Sequence, residues 1–187
     1  AIKSIRDLEI TNRTVLMRLD FNVPLSEYDA DGVRKVEDDS RIQEALPTIR
    51  YALEKGAKLV LASHLGRPDG KFNPEYSLEP VAAHLAQLLG QEVTLADDCV
   101  GDGIEMMVAG LRPGQILMLE NLRFHAAEEA NELEFSQRLA RLGQVYITDA
   151  FGTAHRKHAS TYGVPAITQT RGMGFLIEKE LQFLDQL

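Results

Sequence analysis

Lys58-Leu59-Val60-Leu61-Ala62-Ser63-His64-Leu65-Gly66-Arg67-Pro68 decides the fold. The run 58–63 reads as a strand, and its inner residues 59–62 are apolar on successive positions rather than on alternate ones. A strand of that kind is buried on both faces, which is the situation of a parallel sheet covered by helices. The residues just beyond the run are equally telling. Gly66 permits a tight turn, Pro68 stiffens the exit, and His64 and Arg67 flank the glycine. In open α/β sheets, ligands bind beyond the carboxyl ends of the strands. A His–Arg pair at that point suits a phosphate or a carboxylate, because a guanidinium matches either bidentately.

The same grammar extends in both directions. Residues 14–20 read as a strand, followed by a polar loop over 27–39 with a turn at Asp31-Gly32. Ser40 then reads as a helix N-cap with Gln43 as its capping-box partner. Ile42, Ala45, Leu46, Ile49, Ala52 and Leu53 recur at helical spacing, and Gly56 closes the helix. Pro47 inside it predicts a kink or one lost backbone hydrogen bond. Further on come a helix from 77 to 89, a short strand at 92–95, a weaker helix at 103–109 and a strand at 115–119. A helix at 132–142 and a strand at 145–148 come next, with a sixth strand expected at 164–167. This alternation predicts a three-layer, Rossmann-like α/β domain: a parallel sheet of about six strands covered by helices on both faces.

Bulk properties restrict the function. The chain has 187 residues, 20 basic against 28 acidic side chains and a net charge of −8. That balance argues against a general nucleic-acid or membrane-surface binder, though it leaves room for a local positive pocket. A single cysteine, Cys99, permits no internal disulfide and predicts a reducing, cytoplasmic setting. It has no neighbouring cysteine and reads as a spectator thiol. No stretch approaches the roughly 18 apolar residues of a membrane helix, and no apolar signal core opens the chain. The first residue is not Met, which suggests processing or numbering from the mature residue. The apolar stripe of 175–187 runs to the last residue, which suggests a chain cut at a domain boundary.

Five segments carry chemistry: Asp20-Phe21-Asn22, Asp39-Ser40-Arg41-Ile42, 63–68, Glu120-Asn121-Leu122-Arg123-Phe124 and Gly152-Thr153-Ala154-His155-Arg156. Four of them lie at or just beyond a predicted strand end. Asp20 and Asn22 can bind ligand hydroxyls, or simply form an Asx turn. Arg41 stands in the first turn of a helix, where a cation is unfavourable for the helix itself; its alternative is a salt bridge to Asp38, Asp39 or Glu44. His64 is a recognition residue or a structural histidine, and no metal-ligand set surrounds it. Arg123 and Arg156 taken singly are ordinary surface charges. Four arginines converging with His64 on one cleft are better explained by a small, multiply anionic ligand. There is no Gly-x-x-x-x-Gly-Lys-Ser/Thr loop and no Gly-x-Gly-x-x-Gly opening a helix.

Taken in order, Arg18-Leu19-Asp20-Phe21-Asn22-Val23-Pro24, Ser40-Arg41-Ile42 with Leu46-Pro47-Thr48-Ile49, 63–68, 120–124 and Asp149 to Arg156, with Ala159-Ser160-Thr161 after it, resemble the motifs of the phosphoglycerate kinase family. The resemblance covers nearly the whole chain but only that family's N-terminal lobe. It implies a phosphotransferase with a carboxyl group as acceptor, which interconverts 1,3-bisphosphoglycerate and 3-phosphoglycerate in glycolysis. It further implies that 1–174 form the phosphoglycerate-binding lobe and 175–187 begin the interdomain helix. Mg2+ with ATP or ADP would sit on a C-terminal lobe absent from this chain. Carried over by position, Asp20 and Asn22 hold the glycerate portion. Arg41, the catalytic residue, faces the reacting carboxyl, and His64, Arg67, Arg123 and Arg156 surround the 3-phosphate. The resemblance implies a monomer whose isolated lobe is inactive. The rival reading is a non-catalytic sugar-phosphate binding module.

Overall fold

Residues 3–150 and 156–186 are described by the computed structural model. In chain order the elements are β1 (Lys3–Ser4), β2 (Thr14–Arg18), α1 (Ser40–Glu54), β3 (Lys58–Ala62), α2 (Glu79–Leu89), β4 (Thr94–Leu95) and α3 (Asp102–Ala109). They continue with β5 (Ile116–Met118), α4 (Ala126–Glu129), α5 (Leu133–Ala140), β6 (Val145–Thr148), α6 (Val164–Ile167), β7 (Arg171–Met173) and α7 (Phe175–Asp185). The described strands form one parallel sheet in the order β1-β7-β6-β2-β3-β5-β4.

Strand alternation sorts the core into two halves. Val15, Met17, Leu59, Leu61 and Ile147 point to one face, where Ile42, Ile49, Val81 and Leu85 from α1 and α2 cover them. Leu16, Val60, Leu117 and Tyr146 point to the other, against Ile104, Val108, Phe135 and Leu139 from α3 and α5. Both faces are therefore apolar, and the three-layer arrangement results. The fold has seven described strands rather than about six. No helix among the described residues is long and apolar enough to cross a membrane.

Three local expectations change. The segment 164–167 is helical: α6 comes directly after a π-helical turn, Ala159–Gly163, and Pro165 sits in its first turn, where a missing N–H costs nothing. A run of four apolar residues does not distinguish a strand from a short helix. The additional strands β1 and β7 are two and three residues long, and β7 contains Gly172. A Cβ at Gly172 would lie 2.7 Å from the Lys3 carbonyl, so glycine is what lets β7 pair between β1 and β6. At the start of α1, Ser40 is the first helical residue and Asp39 is the N-cap, with no side-chain cap bond. Asp38 diverts the Ser40 hydroxyl, which donates to its Oδ1 at 2.5 Å, while Gln43 donates to Asp39 Oδ2 at 3.2 Å. The helix continues through Pro47, and Gly56, at φ +76°, turns the chain out of it.

The last helix is tied back to the sheet by its N-terminus. Asp149, just past β6, accepts from the backbone N–H groups of Leu176 and Ile177 at 3.0 and 3.2 Å, and from the Thr48 hydroxyl at 2.6 Å. Thr48 Oγ1 in turn accepts from the Phe175 N–H at 3.0 Å. Further along α7, Leu181, Phe183 and Leu184 are exposed. Leu187, expected on the same apolar stripe, lies outside the described residues.

Leu59→Ala, in the fully buried centre of β3, is expected to lower unfolding stability by about 2–5 kcal/mol in urea titration. Met106→Ala, on the exposed side of α3, should stay within about 0.5 kcal/mol of the parent.

Candidate functional site

Because every described strand runs the same way, the ends of β2, β3, β5 and β6 open on one edge of the sheet. The chain runs from β2 to β3 on one side and returns to β6 on the other, which creates the crevice typical of a switch point. A cavity of about 410 Å3 lies there. Its lining contains all seven residues singled out from sequence: Asp20, Asn22, Arg41, His64, Arg67, Arg123 and Arg156. Glu44, Asp149 and Leu176 also line it. Gly152, Thr153 and His155 of the fifth segment lie outside the described residues.

Each side chain has a local reason for its position. After β2, the Asn22 N–H donates to Asp20 Oδ1 at 3.0 Å, so the Asx turn and the place in the cavity are both real. Arg41 reaches from α1 to Asp20 Oδ1 at 3.2 Å and to the Asn22 carbonyl at 2.8 Å. Its ionic partner is therefore across the cleft, not Asp38, Asp39 or Glu44. With Arg41 half-exposed, this pair contributes little to stability but aims the guanidinium.

The loop after β3 is held rigidly. Gly66 has φ +60°, and a Cβ there would collide with the Tyr76 ring. The Gly66 N–H donates to Asn22 Oδ1 at 2.9 Å, which leaves the Asn22 amide NH2 as the group to offer a ligand. Asn121, after β5, donates to the carbonyls of Leu65 and Tyr76 at 2.7 and 2.9 Å and accepts from the Leu65 N–H at 3.2 Å. The loops carrying His64, Arg67 and Arg123 are thus one hydrogen-bonded unit.

Four arginines and three carboxylates, Asp20, Glu44 and Asp149, line the cavity, and the basic groups act on one another. His64 is 4% exposed. Burial, and then the charges of Arg18, Arg123, Arg156 and His158, push its pKa down to about 2. His158 is shifted the same way, mainly by burial. Burial also lowers the Arg123 pKa, with Arg156 and Arg18 adding to the effect and Glu129 opposing it. Arg123 Nε is buried without a hydrogen-bond partner among the described residues, and a donor in that state gains from an anionic acceptor.

Sequence reasoning missed Arg18 and Asp149 as parts of this assembly. Arg18 is buried at the end of β2 and donates to His64 Nδ1 at 3.0 Å. The available signal was a charged residue inside an otherwise apolar strand. Asp149 is buried, and burial raises its carboxyl pKa against the three hydrogen bonds it accepts.

Among the described residues, Asp98, Cys99 and His125 have the spacing to hold a metal ion. Their atoms are otherwise engaged: His125 Nε2 bonds Asp98 Oδ1 at 2.6 Å, and the Cys99 thiol donates to the Glu120 carbonyl at 2.9 Å. Burial holds the thiol pKa well above its usual range, so Cys99 serves as a packed hydrogen-bond donor.

The fold is a doubly wound α/β lobe with an arginine-lined cavity at the carboxyl edge of its sheet. The family model described as phosphoglycerate kinase matches residues 5–187. The phosphoglycerate kinases of Acidobacterium capsulatum and Chlorobium luteolum are 54% and 53% identical to it over 187 and 182 residues, covering 97% of this chain and 45% of each relative. The solved phosphoglycerate kinase of Coxiella burnetii superposes with a TM-score of 0.87 at 38% identity, over 100% of this chain and 45% of that one. That of Pyrococcus horikoshii gives 0.83 at 35%, over 96% and 44%. The chain belongs to the phosphoglycerate kinase family, and it spans less than half the length of these relatives.

His64 makes stability pH-dependent with a definite sign. Its pKa in the folded chain, about 2, lies below the ordinary 6.5. The unfolded chain therefore takes up a proton below about pH 6.5 that the folded chain refuses, and the stabilisation by neutral His64 is lost as pH falls through that range. Urea unfolding at stepped pH should show this as up to about 1.4 kcal/mol per pH unit below about pH 6.5. His64→Gln should flatten that slope; an unchanged slope would contradict the assignment.

Proposed function

We propose that this chain is the phosphoglycerate-binding lobe of a cytoplasmic phosphoglycerate kinase. The observation that carries the reading is the meeting of Arg41, Arg67, Arg123, Arg156 and His64 around one cavity in a chain of net charge −8. A ligand with a phosphate at one end and a carboxylate or acyl phosphate at the other suits such a cluster. Family membership supports reading that ligand as 3-phosphoglycerate or 1,3-bisphosphoglycerate.

In this reading His64, Arg67, Arg123 and Arg156 hold the 3-phosphate, while Asp20 and the Asn22 amide orient the glycerate portion. Arg41, aimed by Asp20, faces the reacting carboxyl and offsets charge as the phosphoryl group transfers. Such transfer depends mainly on positioning and charge neutralisation. The carboxylate nucleophile is already ionised at neutral pH, so no general base is required. A C-terminal lobe would hold Mg2+ with ATP or ADP, the nucleotide being the donor or acceptor of the phosphoryl group; α7 would lead to that lobe, and the exposed Leu181, Phe183 and Leu184 would pack against it. Residues 1–174 constitute the substrate lobe and 175–187 the start of the connecting helix. Alone, this chain binds 3-phosphoglycerate and does not turn over.

Calorimetric titration of 3-phosphoglycerate should give binding that weakens as salt is raised, because the contacts are ionic. Arg67→Ala and Arg156→Ala should each weaken it about tenfold, the loss of one charge-assisted contact. A folded chain that fails to bind at low salt would refute the reading. A coupled assay with Mg2+ and ATP is expected to show no rate above background from this chain; measurable turnover would place the second substrate site within it.

A further inference from the structure

Arg18 is 1% exposed, yet it lines no part of the cavity and hydrogen-bonds no carboxylate among the described residues. Its guanidinium has five N–H donors and no acceptor. Nε donates to Ser160 Oγ at 2.8 Å, Nη1 to the Leu19 carbonyl, and Nη2 to His64 Nδ1 at 3.0 Å. Behind it stands Glu128, fully buried on α4. Glu128 Oε2 accepts from the Ser160 hydroxyl at 2.5 Å and Oε1 from the Ser160 N–H at 2.8 Å. The Tyr146 hydroxyl fixes the same residue by donating to its carbonyl at 2.7 Å.

The direction of every bond in this chain is forced. The Ser160 hydroxyl gives its one proton to Glu128, so its oxygen is free to accept from Arg18. Arg18 can only donate, so the nitrogen of His64 that faces it must be the bare one. A ring bonded in this way is neutral and carries its proton on Nε2. A histidine that instead donates from Nδ1 to a carbonyl or carboxylate has the opposite tautomer and becomes a cation readily.

We propose that Arg18, oriented by Glu128 through Ser160, is a positioning residue that fixes His64 as the neutral Nε2–H tautomer, a hydrogen-bond donor to the anion in the cavity. The identity of that anion rests on the function proposed above; the tautomer does not. His64 then gives the site direction without charge, and the charge comes from the arginines. The groups that face His64 all disfavour a second proton: Arg18 from β2, Arg123 beyond β5, and Arg156 and His158 beyond β6. Donation by His64 should therefore be constant across the physiological range, unlike that of an ordinary imidazole.

Long-range proton–nitrogen NMR spectra of the histidine rings test this in the free chain. The His64 signals should show the Nε2–H pattern and stay constant from about pH 8 to about pH 5. In Arg18→Met the ring should populate both tautomers, while burial and the remaining arginines still keep it neutral, and 3-phosphoglycerate should bind about tenfold more weakly. In Arg18→Lys, which keeps a donor opposite Nδ1, the Nε2–H pattern should return. The proposal is overturned if the parent shows Nδ1–H or titrates near its ordinary pKa, or if folded Arg18→Met keeps the parent pattern. If Arg18→Met does not fold, the parent and Arg18→Lys spectra decide, and an Nδ1–H ring in either overturns it. A parent chain with the Nε2–H pattern that binds no 3-phosphoglycerate supports the tautomer and refutes the functional reading alone.

Discussion

The parallel pairing of β2 with β3 on one side and β6 on the other is the constraint on which the whole site depends. It brings Asp20, Asn22 and Arg18, the 63–67 loop, and Asp149 to a single edge, though they are far apart in sequence. An antiparallel arrangement would send alternate loops to opposite edges and separate the arginines. The pairing is itself secured by burial on both faces. Leu59 and Leu61 pack under α1 and α2, Val60 packs under the opposite helical layer, and a register slip would exchange the two sets.

Crowding so much positive charge into one crevice has a cost, and the structure offsets it locally. Glu128 lies buried behind the cluster, Glu129 acts on Arg123, and Asp20 holds Arg41. Glu44 and Asp149 add two further carboxylates to the lining of the crevice itself. His64 and His158 are driven toward their neutral forms, while the arginines keep their charge because guanidinium is so basic. The arrangement favours an anion while avoiding the titration that histidines alone would bring.

A second consequence of the parallel edge is that the cavity and the final helix share a residue. Asp149 lines the crevice and also caps α7 by accepting from Leu176 and Ile177, with Thr48 of α1 completing the set. Gly174 makes room for this contact: a Cβ there would collide with the Asp149 carboxyl group. The direction in which α7 leaves the sheet is thereby tied to the helix that carries Arg41. This link connects the arginine-lined crevice to the helix proposed to join the lobes.

The sequence by itself determined the layered architecture and which side chains line the crevice. Unbroken apolar runs such as 59–62, bounded by turn residues and alternating with helical periods, mark strands buried on both faces, and His64, Gly66 and Arg67 just beyond one line the crevice. Local pattern was insufficient where elements are too short to have a period. β1 and β7 exist through their pairing, and 164–167 became helical because Pro165 and the preceding π turn suit a helix start. Asp39 took the N-cap position expected of Ser40, whose hydroxyl donates to Asp38 instead. Only the tertiary structure decided which partner each charge meets. Arg41 turned to Asp20 across the cleft, and Arg18 became the support behind His64. Such partnerships join residues tens of positions apart, and no local periodicity encodes them; they exist only once the sheet has set its strand order.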